Sequence, residues 1–157
     1  MVQLQLKFKK LHPAAKLPQR MLPQAVGADL HAFILDESGR GRRLILPPRN
    51  TRAIPTGLLI EPPPAGTQTA WTAMVFSRSG LALKSIWVAN APGLIDPDYR
   101  GELMVLLYNG GLDTQYIEHE QRIAQLVLVQ TAYPSYTEVD ELSKTERGAG
   151  GLGSTGT

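Results

Sequence analysis

"APGLIDPDYRGELMVLLYN", residues 91–109, decides how the rest of the chain is read. A Pro-Gly break at Pro92 and Gly93 leads into two aliphatics, Leu94 and Ile95. An acidic turn follows at Asp96 and Asp98, and then a strongly apolar run over 103–108. Asp, Pro and Gly supply the backbone angles that a chain reversal needs, while aliphatic and aromatic residues suit a pleated surface. The stretch therefore predicts a β-hairpin. By residue type alone, the two aspartates read as groups that merely solvate a surface turn.

The flanking sequence has the same grammar. "VQLQLKFK", residues 2–9, alternates apolar and polar without error, the period of a strand with one buried face. Strand-like runs follow at "ADLHAFIL", "RRLILP", "TRAIPTGLLIE", "TAWTAMVF", "SIWVAN", "ELMVLLYN", "TQYIEH" and "RIAQLVLVQ". Glycine or proline separates nearly all of them, at Gly39, Gly41, Pro47, Pro62, Gly80, Gly93 and Gly110 among others. Only "SGLALKS" suggests helix, and only a short turn of it. Many short strands with turn signals between them predict an all-β sandwich or barrel.

Composition sets the outer limits. The 157 residues fit one domain with a real core, and 43% hydrophobic against 19% charged content is that of an ordinary globular chain. The formal net charge is only +2, so there is no broad basic field for nucleic acid, and any anion site must be local. The absence of cysteine excludes disulfides, thiol catalysis and thiolate metal sites. His12, His31 and His119 lie far apart and are read as surface or satisfied core residues. The first ten residues lack a signal-peptide core, and no run is long enough to span a membrane, so a cytoplasmic protein is expected.

The chain ends in "RGAGGLGSTGT", residues 147–157. Such a tail has too little side chain to join a core. It reads either as a linker or as a device that holds an anion with one arginine, two hydroxyl types and exposed backbone. Two formal motif matches fail. "GAGGLG" has the dinucleotide-binding glycines but no following helix to take the pyrophosphate. "DPDYRG" opens like a calcium loop, but Arg100 occupies a ligand position and Leu107 stands where the bidentate glutamate belongs.

"GADLHA", "SRSGLALK", "GLIDPDYRGEL", "RIAQL" and "RGAGGLGSTG" resemble, in order and spacing, the five motifs of the homotrimeric dUTPases. The resemblance covers nearly the whole chain. It implies a jelly-roll-like β-barrel with little helix over residues 1–146 and a flexible C-terminal lid over 147–157. It also implies cleavage of dUTP into dUMP and pyrophosphate in sites shared between three subunits, where one subunit's tail closes another's site.

Carried over residue by residue, the resemblance makes Asp96 the general base that activates the attacking water. Asn90, Gly93, Leu94, Ile95 and Met104 would recognise uracil, largely through main-chain groups, and Tyr99 would lie against the deoxyribose. Arg78, Ser79, Gly80 and Gln125 would hold the triphosphate. Arg147, Gly153, Ser154 and Thr155 would close over the γ-phosphate, with Leu152 covering the base. A Mg²⁺ ion would bridge the phosphates and be held indirectly by Asp29 through water. Arg122 is expected to support the fold or a neighbouring chain.

Two departures stand out. Leu152 occupies a position where the family usually has a phenylalanine that stacks on uracil, so lid closure is expected to weaken. Ser77 stands where proline is common, a departure expected to be minor. Competing readings are a dCTP deaminase of the same fold and a non-catalytic nucleotide-binding protein. The deaminase chemistry needs a glutamate in the strand after the acidic turn, and the aligned residue is Leu106, which cannot do acid–base work.

Overall fold

The computed structural model describes residues 5–66 and 69–151. Its strands are β1 (Lys7–Lys10), β2 (Ala28–His31), β3 (Arg43–Leu46), β4 (Thr51–Glu61) and β5 (Thr69–Phe76). After a one-turn helix α1 (Ser79–Ala82) come β6 (Ile86–Val88), β7 (Gly93–Ile95), β8 (Glu102–Asn109), β9 (Gln115–Glu118) and β10 (Arg122–Ala132). They form two four-stranded sheets, ordered β1-β4-β8-β6 and β2-β10-β5-β7, and a β3-β9 ribbon. Every named pairing is antiparallel. The strand count predicts this nearly all-β architecture, and the family resemblance implies its jelly-roll-like form.

Alternation explains how the sheets close on one core. In β8, Leu103, Val105 and Leu107 are buried while Met104 between them is exposed. They meet Ile54 and Ile60 of β4, Ala73 and Val75 of β5, and Ile123, Ala124 and Leu126 of β10 in one apolar cluster. Full burial of such a side chain contributes about 1.5–3 kcal/mol. Asn109 ends β8 at 0% exposure and is satisfied there. Its Nδ2 donates to the carbonyls of Leu46 and Asp113, and its Oδ1 accepts the Gly111 N–H.

β4 is broken by a bulge between Pro55 and Leu59. Gly57 sits there at φ +69, and a Cβ would come within 2.8 Å of the Phe33 ring and 2.9 Å of Ala15. Only glycine fits this position on both counts. Its N–H is taken by Glu102 Oε1 at 2.8 Å.

One expectation is corrected, and one reaches beyond the described residues. Among these the first strand is Lys7–Lys10, with Leu6 and Phe8 half-buried against the core, while residues 2–4 of the alternating stretch lie outside them. Residues 91–109 do not form a laddered hairpin. β7 pairs with β5 through Gly93↔Val75, Leu94↔Met74 and Ile95↔Ala73, whereas β8 lies between β4 and β6 in the other sheet. Residues 96–101 thus carry the chain from sheet to sheet. The physical reason is that both strands find longer apolar partners elsewhere.

Candidate functional site

The sheet β2-β10-β5-β7 gathers the charges. Gln125 of β10 is opposite Asp29 of β2 on one side and Phe76 of β5 on the other, and Arg78 lies just beyond the end of β5. Asp29 is 2% exposed. Its Oδ1 accepts Arg78 Nε at 3.0 Å and Gln125 Nε2 at 3.4 Å, and its Oδ2 accepts Arg122 NH1 at 3.1 Å. Arg78 NH1 also donates to the Arg122 carbonyl at 3.3 Å. A buried carboxylate is costly unless its charge is paired and its lone pairs are used, and both conditions are met here.

The cluster is over-compensated. Two guanidiniums surround one carboxylate, and their side chains keep 22% (Arg78) and 41% (Arg122) of their exposure. A fixed net positive centre with guanidinium edges reaching solvent suits a phosphate chain. Ser79 and Gly80 follow at the start of α1, both exposed, and a Cβ at Gly80 would meet nothing within 4 Å. An anion can therefore approach the backbone there.

β7 lies on the other side of β5 from β10, two strand spacings or about 10 Å away. Leu94 (60%), Tyr99 (40%) and Met104 (38%) are exposed along β7, the crossing and β8. Gly93 is buried, Ile95 is half-buried, and Asn90 is exposed with its amide beside Gly93. β7 is the end strand of its sheet and keeps one edge unpaired, whereas β8 is flanked by β4 and by β6, whose ladder reaches only Leu107–Asn109. Main-chain donors and acceptors on an unpaired edge such as that of β7 are open to a ligand's hydrogen bonds.

Asp96 stands exposed at the head of the crossing. The Tyr99 N–H closes the turn onto the Asp96 carbonyl at 3.0 Å. Arg100 NH1 donates to the carbonyls of Pro97 and Tyr99, each at 2.8 Å. The Tyr99 hydroxyl donates to the Glu102 carbonyl at 2.8 Å. The carboxylate is thus free in its chemistry while the backbone beneath it is held.

Arg147 is not brought to the Asp29 cluster. It is exposed on its own turn, its Nε donating to the Gly150 carbonyl at 3.0 Å. Gly148 takes φ +52 there, and its N–H is held by Thr145. Leu152, Gly153, Ser154 and Thr155 lie outside the described residues.

Three other positions go beyond the sequence reading. Arg122 is a direct partner of Asp29, placed by its position at the start of β10. Ser77 Oγ accepts the Val88 N–H at 2.9 Å, tying the end of β5 to β6. His31 is not a satisfied core histidine, because its buried Nδ1 has no partner among the described residues. Burial, then Lys16, holds His31 below the ordinary histidine range against the opposing pull of Asp29. His119 and His12 are structural, accepting the N–H groups of Ile34 and Ala14.

Among the described residues no group of three or more His, Cys, Asp or Glu forms a metal cage. Asp29 nevertheless fits an indirect role. Two donors engage Oδ1 and one engages Oδ2, which leaves Oδ2 with lone-pair capacity for a water. No helix among the described residues is long and apolar enough to cross a membrane.

The dUTPase family model matches residues 14–156 of this chain. A deoxyuridine 5'-triphosphate nucleotidohydrolase of Nautilia profundicola is 42% identical over 154 residues, spanning 98% of this chain and 99% of that one. The Treponema denticola protein of the same name is 47% identical over 150 residues, spanning 95% and 96%. A dUTPase variant of Staphylococcus bacteriophage 80alpha with dUpNHpp superposes with a TM-score of 0.81 at 25% identity, covering 98% and 99%. A dUTPase variant from phage phi11, described as revealing how a structural Mg(II) ion is coordinated, shares the fold with a TM-score of 0.73 at 20% identity, covering 89% and 99%. Motifs, fold and relatives agree over nearly the full length: this chain belongs to the dUTPase family.

Proposed function

We propose that the chain hydrolyses dUTP to dUMP and pyrophosphate, with Asp96 as general base. The observation that carries this is the buried, over-compensated Asp29 cluster in the same sheet as the base-facing strand β7. A triphosphate is a run of negative charge with a base at one end, and the cluster and β7 offer complements to the two ends.

In this reading Asp96 accepts a proton from a water as its oxygen bonds to the α-phosphorus. The bond from that phosphorus to the bridging oxygen breaks, and its electron pair leaves with pyrophosphate. Arg78, Ser79, Gly80 and Gln125 hold the phosphates in line, so much of the acceleration comes from positioning and charge stabilisation. Main-chain groups of Gly93, Leu94, Ile95 and Met104, with Asn90, read uracil. A cytosine amino group would leave a fixed donor unpaired there, which is why the site would reject it. Tyr99 faces the deoxyribose and excludes a 2′-hydroxyl.

Mg²⁺ when bound neutralises charge that builds on the phosphate oxygens, and Asp29 would hold it through water. Residues 147–157 act as a lid, with Arg147, Ser154, Thr155 and the backbone at Gly153 closing on the γ-phosphate and Leu152 covering the base. In this reading the lid is supplied by a neighbour in a homotrimer, and Arg147, which bonds only within its own turn, remains available for that role. The protein works in the cytoplasm on the nucleotide pool.

A pyrophosphate-release assay tests the reading. We expect turnover of dUTP and none of dCTP, with activity lost in excess EDTA. Deamination of dCTP would favour the deaminase reading, and inertness toward both would leave only nucleotide binding. Sedimentation of a fully active monomer would remove the trimer.

A further inference from the structure

Gly101 is glycine for a reason its backbone does not supply. It lies outside the left-handed region, so a side chain there would cost nothing conformationally. What forbids one is the ring of Tyr99. A Cβ at Gly101 would stand 2.6 Å from Cζ and 3.0 Å from Cε2, with the hydroxyl oxygen closer still. The tip of the ring stands beside the Gly101 backbone and is pinned there, where the hydroxyl donates to the Glu102 carbonyl at 2.8 Å. Glu102 is itself anchored by the Gly57 N–H at 2.8 Å. At the near end the Tyr99 N–H bonds to the Asp96 carbonyl at 3.0 Å. A side chain that is 40% exposed is thus tied to the chain at both its hydroxyl and its backbone.

We infer that Gly101 is a positioning residue for sugar selection. Its missing side chain lets the Tyr99 ring settle onto the turn, and the Glu102 carbonyl fixes how far it stands toward the sugar. The inference rests on the reading that Tyr99 faces the deoxyribose. A methyl at 101 would push the ring outward into the space that the sugar needs. Loss of the hydroxyl would instead let the ring drift and admit a 2′-hydroxyl.

The test is a double-mutant cycle, which separates a pairwise effect from a general structural one. Gly101→Ala should raise the KM for dUTP by about tenfold with a much smaller change in kcat, and should have no such effect in a Tyr99→Ala background, where no ring remains to be displaced. Equal penalties in both backgrounds, or none in the wild type, would overturn the inference. Tyr99→Phe decides independently, even if Gly101→Ala does not fold. Its ratio of kcat/KM for dUTP over UTP should fall, and an unchanged ratio counts against the pin. Wild-type protein that fails to turn over dUTP would sink the proposed function itself. A Tyr99→Ala ratio equal to that of the wild type would remove the sugar role and this inference with it.

Discussion

Asp29 and Asp96 are the same side chain in opposite settings. Asp29 is 2% exposed and receives N–H groups from Arg78, Gln125 and Arg122, partners 49, 96 and 93 residues away. Asp96 is exposed, in a turn held by bonds that span one to three residues. The first carboxylate is assembled by the fold and is part of its stability; the second is presented by a local device that spends no bond on it. A group that must fix charge needs many distant partners. One that must take a proton needs a firm footing and an open lone pair.

That contrast can be broken from either side. Asp96→Asn keeps size and removes basicity, so turnover should fall by on the order of 10² or more while the denaturation midpoint stays put. Near-normal turnover would mean that another group activates the water. Deleting residues 147–157 should leave the barrel folded yet lower kcat/KM by roughly 10², since charge-assisted bonds to the γ-phosphate are each worth about 1.5–3 kcal/mol. If the tail is only a linker, kinetics will not change.

Asp29→Ala should act the other way, on the fold as well as on activity. It strands two guanidiniums, and because both retain water contact we expect a loss of about 2–3 kcal/mol, below the range for a fully buried pair. Chemical denaturation that matches the wild type would show the cluster to be structurally idle. The smallest effect concerns Leu152. Aromatic stacking adds about 0.5–1.5 kcal/mol beyond area burial, so Leu152→Phe should raise kcat/KM by up to roughly tenfold if lid closure limits it. No gain, alongside a damaging truncation, would assign lid closure to the phosphate contacts alone.

The same contrast explains what was legible in the sequence. β4, β5, β8 and β10 show in their runs of apolar residues, because burial of one face imposes period two wherever a strand lies. Partner choice leaves no such mark. Leu94 and Met104 look like two arms of a hairpin, yet β7 joins β5 because the deciding factor is which sheet edge lies open. Arg122 opens β10 in a place where any polar residue would pass unnoticed, and its pairing with Asp29 appears only in three dimensions. Asp29, Arg78 and Gln125 were found through resemblance to a family; no local spacing announces that they meet. His31 shows the same limit, since an unpartnered nitrogen is a property of surroundings.

Glu102 grips in two directions, its carboxylate on the Gly57 N–H and its carbonyl on the Tyr99 hydroxyl. Gly57 in turn has no room for a Cβ, hemmed in by Phe33 and Ala15. Positions 57, 99, 101 and 102 are linked by direct contacts, so a side chain at 57 would disturb the bulge that steadies Glu102 and, through it, the tyrosine. A change in the bulge of β4 would therefore be felt at Tyr99 through a contact that spans 45 residues of chain.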